Sequence, residues 1–215
     1  MLNKVFILLM MSFLVLNGCT YNDEPVPEIT SISRPLPGTA TVSKPPKLTV
    51  NITPNVPRGW IPPSRLEKRW TAIVIHHSAT NDGNAKIFDK YHKENRHWAG
   101  VGYDFVIGNG RDSGDGQVEV TFRWREQKVG AHCKSSNNWA NIKAVGICLI
   151  GDFNRTSPTK KQMRSLVRLV RFLQQQYKIP KSRIYGHNTT PRARPTECPG
   201  KYFSMARFKA MLDSN

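Results

Sequence analysis

Acidic side chains are in short supply. Fifteen Asp and Glu face 32 Lys and Arg, a formal net charge of +17 at pH 7 and a sequence pI near 10.1. A field of that sign favours anionic partners such as nucleic acid, anionic lipid or acidic polymers, without choosing among them. A solvated basic surface that only aids solubility would give the same balance. Long apolar runs are missing beyond the first twenty residues, and a mean hydropathy of −0.47 excludes a polytopic membrane protein. Internal repeats are absent. Cysteine is sparse, four residues in all. What is present, 39% hydrophobic and 9% aromatic residues over 215 positions, suffices for one globular domain of roughly 150 residues plus tails.

The first residues bear on compartment. Lys4 precedes an apolar run, Val5 to Leu16, broken only by Ser12. Such a run is too short to span a bilayer comfortably and reads as the h-region of an export signal. It ends in Leu16-Asn17-Gly18-Cys19, which resembles a lipobox, the bacterial lipoprotein signal whose cysteine is acylated and becomes the new N-terminus. Residues 1–18 are then a signal peptide, and a diacylated Cys19 supplies the two chains that stable membrane attachment needs. An ordinary cleaved signal or an uncleaved anchor is the alternative. Thr20 in place of Asp resembles the outer-membrane sorting rule. The expectation is an exported, membrane-anchored lipoprotein, at the outer membrane and periplasm if the host is Gram-negative. Ten of the 15 prolines lie between Pro25 and Pro63. Proline fixes φ and removes donors, so 19–63 reads as an extended, semi-rigid tether. A folded domain at 64–215 follows it.

Within that domain strands and helices alternate. Thr71–Ile75, Tyr103–Ile107, Gln117–Phe122, Val145–Ile150 and Arg183–Tyr185 read as strands, the fourth an apolar run suited to the centre of a sheet. Ala85–Arg96 and Phe203–Leu212 read as helices. So does the stripe Met163, Leu166, Val167, Val170, Leu173 and Tyr177, capped by Ser157 or Thr159 and stopped by Pro180. The expected fold is a single α/β domain with a central mixed β-sheet flanked by helices.

Reactive side chains gather at strand ends. His76 and His77 follow the first strand, His187 follows the last, and Cys198 sits in the turn Glu197-Cys198-Pro199-Gly200. Strand ends are where side chains from separate segments meet in one crevice. Two imidazoles and a thiolate suit zinc, and three protein ligands leave a fourth position for water, a catalytic rather than structural arrangement. By spacing alone, satisfied surface or core histidines remain the alternative. Cys133 and Cys148 are either a disulfide or, for Cys148, a small buried hydrophobe. His92 and His97 read as surface groups.

Five segments make the pattern specific: Val74-Ile-His-His-Ser-Ala-Thr80, Gly102-Tyr-Asp-Phe-Val-Ile107, Val129-Gly-Ala-His132, Val145-Gly-Ile-Cys-Leu-Ile-Gly-Asp-Phe153, and Gly186-His187 through Thr196-Glu-Cys-Pro-Gly200. In this order, over about Trp70 to Phe203, they resemble the zinc N-acetylmuramoyl-L-alanine amidases related to phage lysozyme-type amidases and peptidoglycan recognition proteins. The resemblance implies zinc ligands at His76, His187 and Cys198, and a catalytic tyrosine at Tyr103. It implies a supporting catalytic role for Thr196, and leaves His77 as packing or support. Some relatives carry a glutamate where Cys148 stands, which places this chain with the tyrosine-using branch. His132, Asn141 and Trp98 fall in segments that border the substrate groove in relatives. Asp104 stands where many relatives have His or Asn, a departure expected to alter what the groove prefers. The segment between His187 and Cys198 is a few residues longer than in many relatives.

The implied reaction is hydrolysis of the amide between N-acetylmuramic acid and L-alanine by zinc-activated water. The implied partners are peptidoglycan or muropeptides, with the membrane reached through Cys19, and a monomer is expected. A peptidoglycan-binding lipoprotein without turnover is the alternative; loss of the cysteine ligand would mark it, and Cys198 is present. Nucleic acid is not an expected partner, since no nucleic-acid motif accompanies the charge and the export signal removes the chain from the cytoplasm.

Overall fold

The computed structural model describes residues 56–213. The apolar leader, Cys19 and the tether as far as residue 55 lie outside the described residues. Five strands form one sheet: β1 (Ala72–His77), β2 (Phe105–Ile107), β3 (Val118–Val120), β4 (Ala144–Leu149) and β5 (Ile184–Gly186), in the order β3-β2-β4-β1-β5. β2, β4, β1 and β5 run parallel, while β3 pairs antiparallel with β2. Around them stand α1 (Ala85–Arg96), α2 (Phe122–Arg125), α3 (Trp139–Lys143), α4 (Lys160–Tyr177) and α5 (Met205–Met211). This is a single α/β domain with a central mixed sheet flanked by helices.

β1 and β4 are buried along their whole length, as central parallel strands are. Their two faces differ in bulk. Ile73, Ile75, Val145, Ile147 and Leu149 join Leu166, Leu169, Val170 and Leu173 of α4 in the main core. Alternation puts Ala72, Val74, Ala144 and Gly146 on the other face. Small residues there leave room above the sheet, and at its C-terminal end His76 and Cys148 stand in register. α4 opens on a capping box between Thr159 and Gln162 and closes on Lys178 in the left-handed region. The Gln162 amide also donates to the carbonyls of Ile107 and Ile150, tying the helix to the ends of β2 and β4.

Three local features differ from the expectation. The segment 117–122 does not continue as a strand to Phe122, because the Thr121 side chain accepts the Arg123 N–H and starts α2. Helices as short as α2 and α3 carry too few turns for an apolar period to register. Trp60, within the stretch read as tether, is buried in the main core. Its ring lies 5.8 Å from that of Phe172, and its carbonyl accepts the Trp124 indole N–H at 2.9 Å.

Candidate metal centre

Strand register brings the candidate ligands together. β5 pairs Gly186 with Ile75, so His187, the next residue, comes beside His76. The two ring centroids are 4.6 Å apart. Cys198 arrives on a turn built by backbone bonds: Gly200 N–H to the Glu197 carbonyl at 2.7 Å, and Asn188 N–H to the Cys198 carbonyl at 2.7 Å. Gly200 sits at φ +97°, and a Cβ there would lie 2.5 Å from the Phe153 carbonyl carbon, so only glycine fits. One ligand atom each from His76, His187 and Cys198 lies within 4.8 Å of the others, the only group of three or more His, Cys, Asp or Glu of this kind among the described residues. Zinc about 2.0–2.1 Å from nitrogen and about 2.3 Å from sulfur, at a tetrahedral angle, sets those donors about 3.6 Å apart. His76 Nδ1 and Cys198 Sγ are 3.6 Å apart. The donor set and its spacing fit zinc.

Electrostatics agree with that fit. Burial, then the nearby His187, His132 and His77, hold the His76 imidazole well below its usual range. Burial, then His77, pushes His187 down to about 4. Both rings are therefore neutral at pH 7 and offer lone pairs. His77 stays out of the cluster. Its Nδ1 accepts the Phe153 N–H at 3.0 Å, while its own backbone N–H donates to Cys198 Sγ at 3.4 Å.

Tyr103 lies at the edge of the cluster, its ring centroid 5.3 Å from that of His76. Its hydroxyl bonds the Cys148 thiol, which burial and then Cys198 push well above the usual range. Cys133 and Cys148 are both free and buried. Thr196 Oγ1 accepts the Cys198 N–H at 3.2 Å, beside the cluster. Trp98 is half-buried, with its ring 4.8 Å from that of His92, which in turn is 6.1 Å from Tyr103. His92 is not the surface group expected: its Nδ1 accepts the Gly102 N–H at 3.2 Å. It lies four residues after Phe88, the buried residue of α1, and that spacing was the available signal. His97 is exposed at the C-cap of α1.

Two residues expected at the substrate groove, His132 and Asn141, are buried, and so is Asp104, the departure expected to alter the groove. His132 and Asn141 are 7% and 8% exposed. His132 Nδ1 is 3.0 Å from His76 Nε2, and Asn141 Oδ1 accepts the N–H groups of His132 and Cys133. Small residues on that face of the sheet make the space that draws both inward. Asp104 is fully buried, with Oδ2 accepting the Gly146 N–H at 2.8 Å and Oδ1 without a partner. Burial pushes its carboxyl up to about 7.

With this geometry in view, residues 66–201 match the Amidase_2 family, N-acetylmuramoyl-L-alanine amidase. The chain belongs to this family. The match encloses His76, Tyr103, His187 and Cys198 and leaves Trp60 outside it. The amidase-family chain is 33% identical over 136 residues to Peptidoglycan-recognition protein SC2 of Drosophila simulans, covering 59% of this chain and 66% of that protein, just under two thirds of its length. Among solved structures it is similar to N-acetylmuramoyl-L-alanine amidase LysC from Clostridium intestinale. There the identity is 33% and the TM-score 0.57, over 68% of this chain and 87% of that one. It is also similar to Drosophila PGRP-LB solved with tracheal cytotoxin, at 25% identity and TM-score 0.50 over 66% and 84% of the two chains.

Proposed function

We propose that the chain is a zinc-dependent N-acetylmuramoyl-L-alanine amidase that hydrolyses the bond between N-acetylmuramic acid and L-alanine in peptidoglycan. The observation that carries this reading is the nitrogen, nitrogen, sulfur cluster of His76, His187 and Cys198, its first and last members buried and His187 partly so, at the strand ends of an amidase-family fold. Relatives named for peptidoglycan recognition and for the amidase activity support the substrate class. Zinc, when bound, supplies Lewis-acid polarisation of the amide carbonyl and a reactive water at neutral pH.

The chain's own residues do the rest. His76 and His187 present neutral imidazoles, and the His77 N–H helps to hold negative charge on the Cys198 sulfur. Tyr103, against His76, donates to the oxygen on which charge develops. Thr196 keeps its hydroxyl proton free for the same task, since its oxygen serves only as acceptor toward Cys198 N–H. Preorganised donors of this kind contribute about 3–4 kcal/mol each. Residues from one chain suffice, so a monomer is competent. Lipidation of Cys19 and the proline-rich segment behind it would hold the domain at a bacterial membrane while letting it reach a polymer mesh.

A binder without turnover has no use for two imidazoles and a thiol gathered side by side with His76 and Cys198 buried, an arrangement costly in desolvation. The test is the purified protein on sacculi and muropeptides, with products read by mass spectrometry. Stem peptides with a free L-alanine amine are expected, abolished by chelation, restored by Zn2+ and absent with His187→Ala. Activity that survives both chelation and His187→Ala would sink the metal reading. Tight binding with no released peptide would favour the binder.

A further inference from the structure

A second imidazole lies behind His76, and the proposed reaction makes no use of it. His132 Nδ1 is 3.0 Å from His76 Nε2, with the ring centroids 5.0 Å apart and edge-on. On its far side, His132 Nε2 is 3.3 Å from the Ala144 carbonyl oxygen. A carbonyl oxygen only accepts, so a neutral His132 paired with it carries its proton on Nε2 and a lone pair on Nδ1. That lone pair is satisfied only by a proton on His76 Nε2. His76 Nδ1 is then left bare, and Nδ1 is the atom 3.6 Å from Cys198 Sγ. One carbonyl of β4 thus sets, through two rings, which nitrogen of His76 faces the cluster.

His132 is itself held in place. Asn141 Oδ1 accepts the N–H groups of His132 at 2.8 Å and Cys133 at 2.9 Å, and Asn141 Nδ2 donates to Asn138 Oδ1 at 2.7 Å. The ring lies against two glycines. A Cβ on Gly146 would come 2.4 Å from His132 Cδ2, and one on Gly130 would come 2.6 Å from the same atom. Glycine at 146 therefore has a reason beyond sheet geometry: it makes room for this ring.

We propose that His132 is a positioning residue for the metal, fixing the tautomer and ring orientation of His76, with Asn141 fixing His132. The metal half of this statement rests on the zinc reading above. The tautomer half is a property of the metal-free protein.

The experiment uses the full chain and two readouts. Long-range 1H–15N NMR of the metal-free protein at pH 7 reports the tautomers, and both His76 and His132 are expected to carry their protons on Nε2. Competition with a chromophoric chelator reports the Zn2+ dissociation constant. His132→Ala removes the acceptor and should weaken zinc binding roughly 10- to 100-fold, the usual effect of losing such a partner. It should also leave His76 a mixture of tautomers. His132→Asn puts an amide oxygen near the place of Nδ1 and should recover most of the affinity.

A wild-type His76 protonated on Nδ1 overturns the proposal. So does a folded His132→Ala with unchanged zinc affinity, or a folded His132→Asn as weak as the alanine variant. If His132→Ala fails to fold, the wild-type tautomers and His132→Asn decide the matter. A wild type that shows the expected tautomers yet binds no zinc refutes the zinc reading and the metal-positioning role together, and leaves the tautomer relay standing.

Discussion

The backbone N–H of His77 donates to the Cys198 sulfur across 3.4 Å, joining the last residue of β1 to a turn 121 residues further along the chain. The side chain of the same residue points the other way and accepts the Phe153 N–H. His77 thus supports the cluster through its backbone and the loop beside it through its ring.

That division separates ligand from neighbour. His187→Ala and Cys198→Ala should each abolish stoichiometric zinc, read by metal analysis of the purified protein, and reduce amidase activity to background. His77→Ala keeps the N–H that faces the sulfur, so it should retain one zinc per chain. It leaves the Phe153 N–H without its partner, a loss of about 1–3 kcal/mol in urea unfolding. A zinc-free His77→Ala would make His77 a ligand and reverse the assignment.

In the proposed reaction Tyr103 donates to the oxyanion, and its hydroxyl can be deleted while the ring is kept. Tyr103→Phe keeps the ring that stands 5.3 Å from His76 and removes the hydroxyl together with its bond to the Cys148 thiol. Zinc content and KM should stay near wild type while kcat falls by roughly 10²–10³. An unchanged kcat would assign that donation to another group.

Much of the fold is legible in the sequence. The central strands showed because they are short apolar runs, and the candidate metal cluster showed because each of its residues follows a strand or sits in a turn. The direction of the inner polar side chains did not show. Whether His132 faces substrate or the sheet depends on Gly146 of β4, fourteen residues further along the chain, being small enough to admit the ring, which no local pattern encodes. The same holds for Asp104: its place in the motif says nothing of direction, and its carboxyl bonds across to Gly146 of β4. The short helices α2 and α3 were missed because one turn gives no period.

Asp104 gives the pH prediction. Its folded pKa is raised to about 7, against about 3.9 for an unfolded chain. The folded state therefore holds this proton more tightly, and the stability it contributes at low pH is lost as pH rises from about 4 to about 7. Asp104→Asn keeps an oxygen for the Gly146 N–H and has no proton to lose. Its stability relative to wild type should increase by about 2–3 kcal/mol between pH 5 and pH 8, at about 1.4 kcal/mol per pH unit over the part of that interval below pH 7. Histidines such as His132, pushed down to about 3, destabilise in the opposite direction as pH falls below about 6.5, but they are common to both proteins and cancel in the difference. Urea unfolding at the two pH values reads the effect. A difference that does not change with pH would mean that Asp104 ionises like an exposed carboxyl.

Trp60 tests where the folded domain starts. It precedes the matched residues 66–201 and follows a proline-rich stretch, yet it is 4% exposed and carries Arg168 over its ring at 5.4 Å. Its backbone also supplies the acceptor for Trp124, a fully buried side chain. Trp60→Ala should cost about 3–5 kcal/mol, the usual range for emptying a buried tryptophan site. A chain beginning at residue 64 loses the ring and the carbonyl together, leaves the Trp124 N–H unpaired, and should fall further than the point variant. A chain beginning at residue 56 keeps both and should match the longer protein in urea unfolding. If starts at 56 and 64 proved equally stable, Trp60 would be only resting on a core that is complete without it.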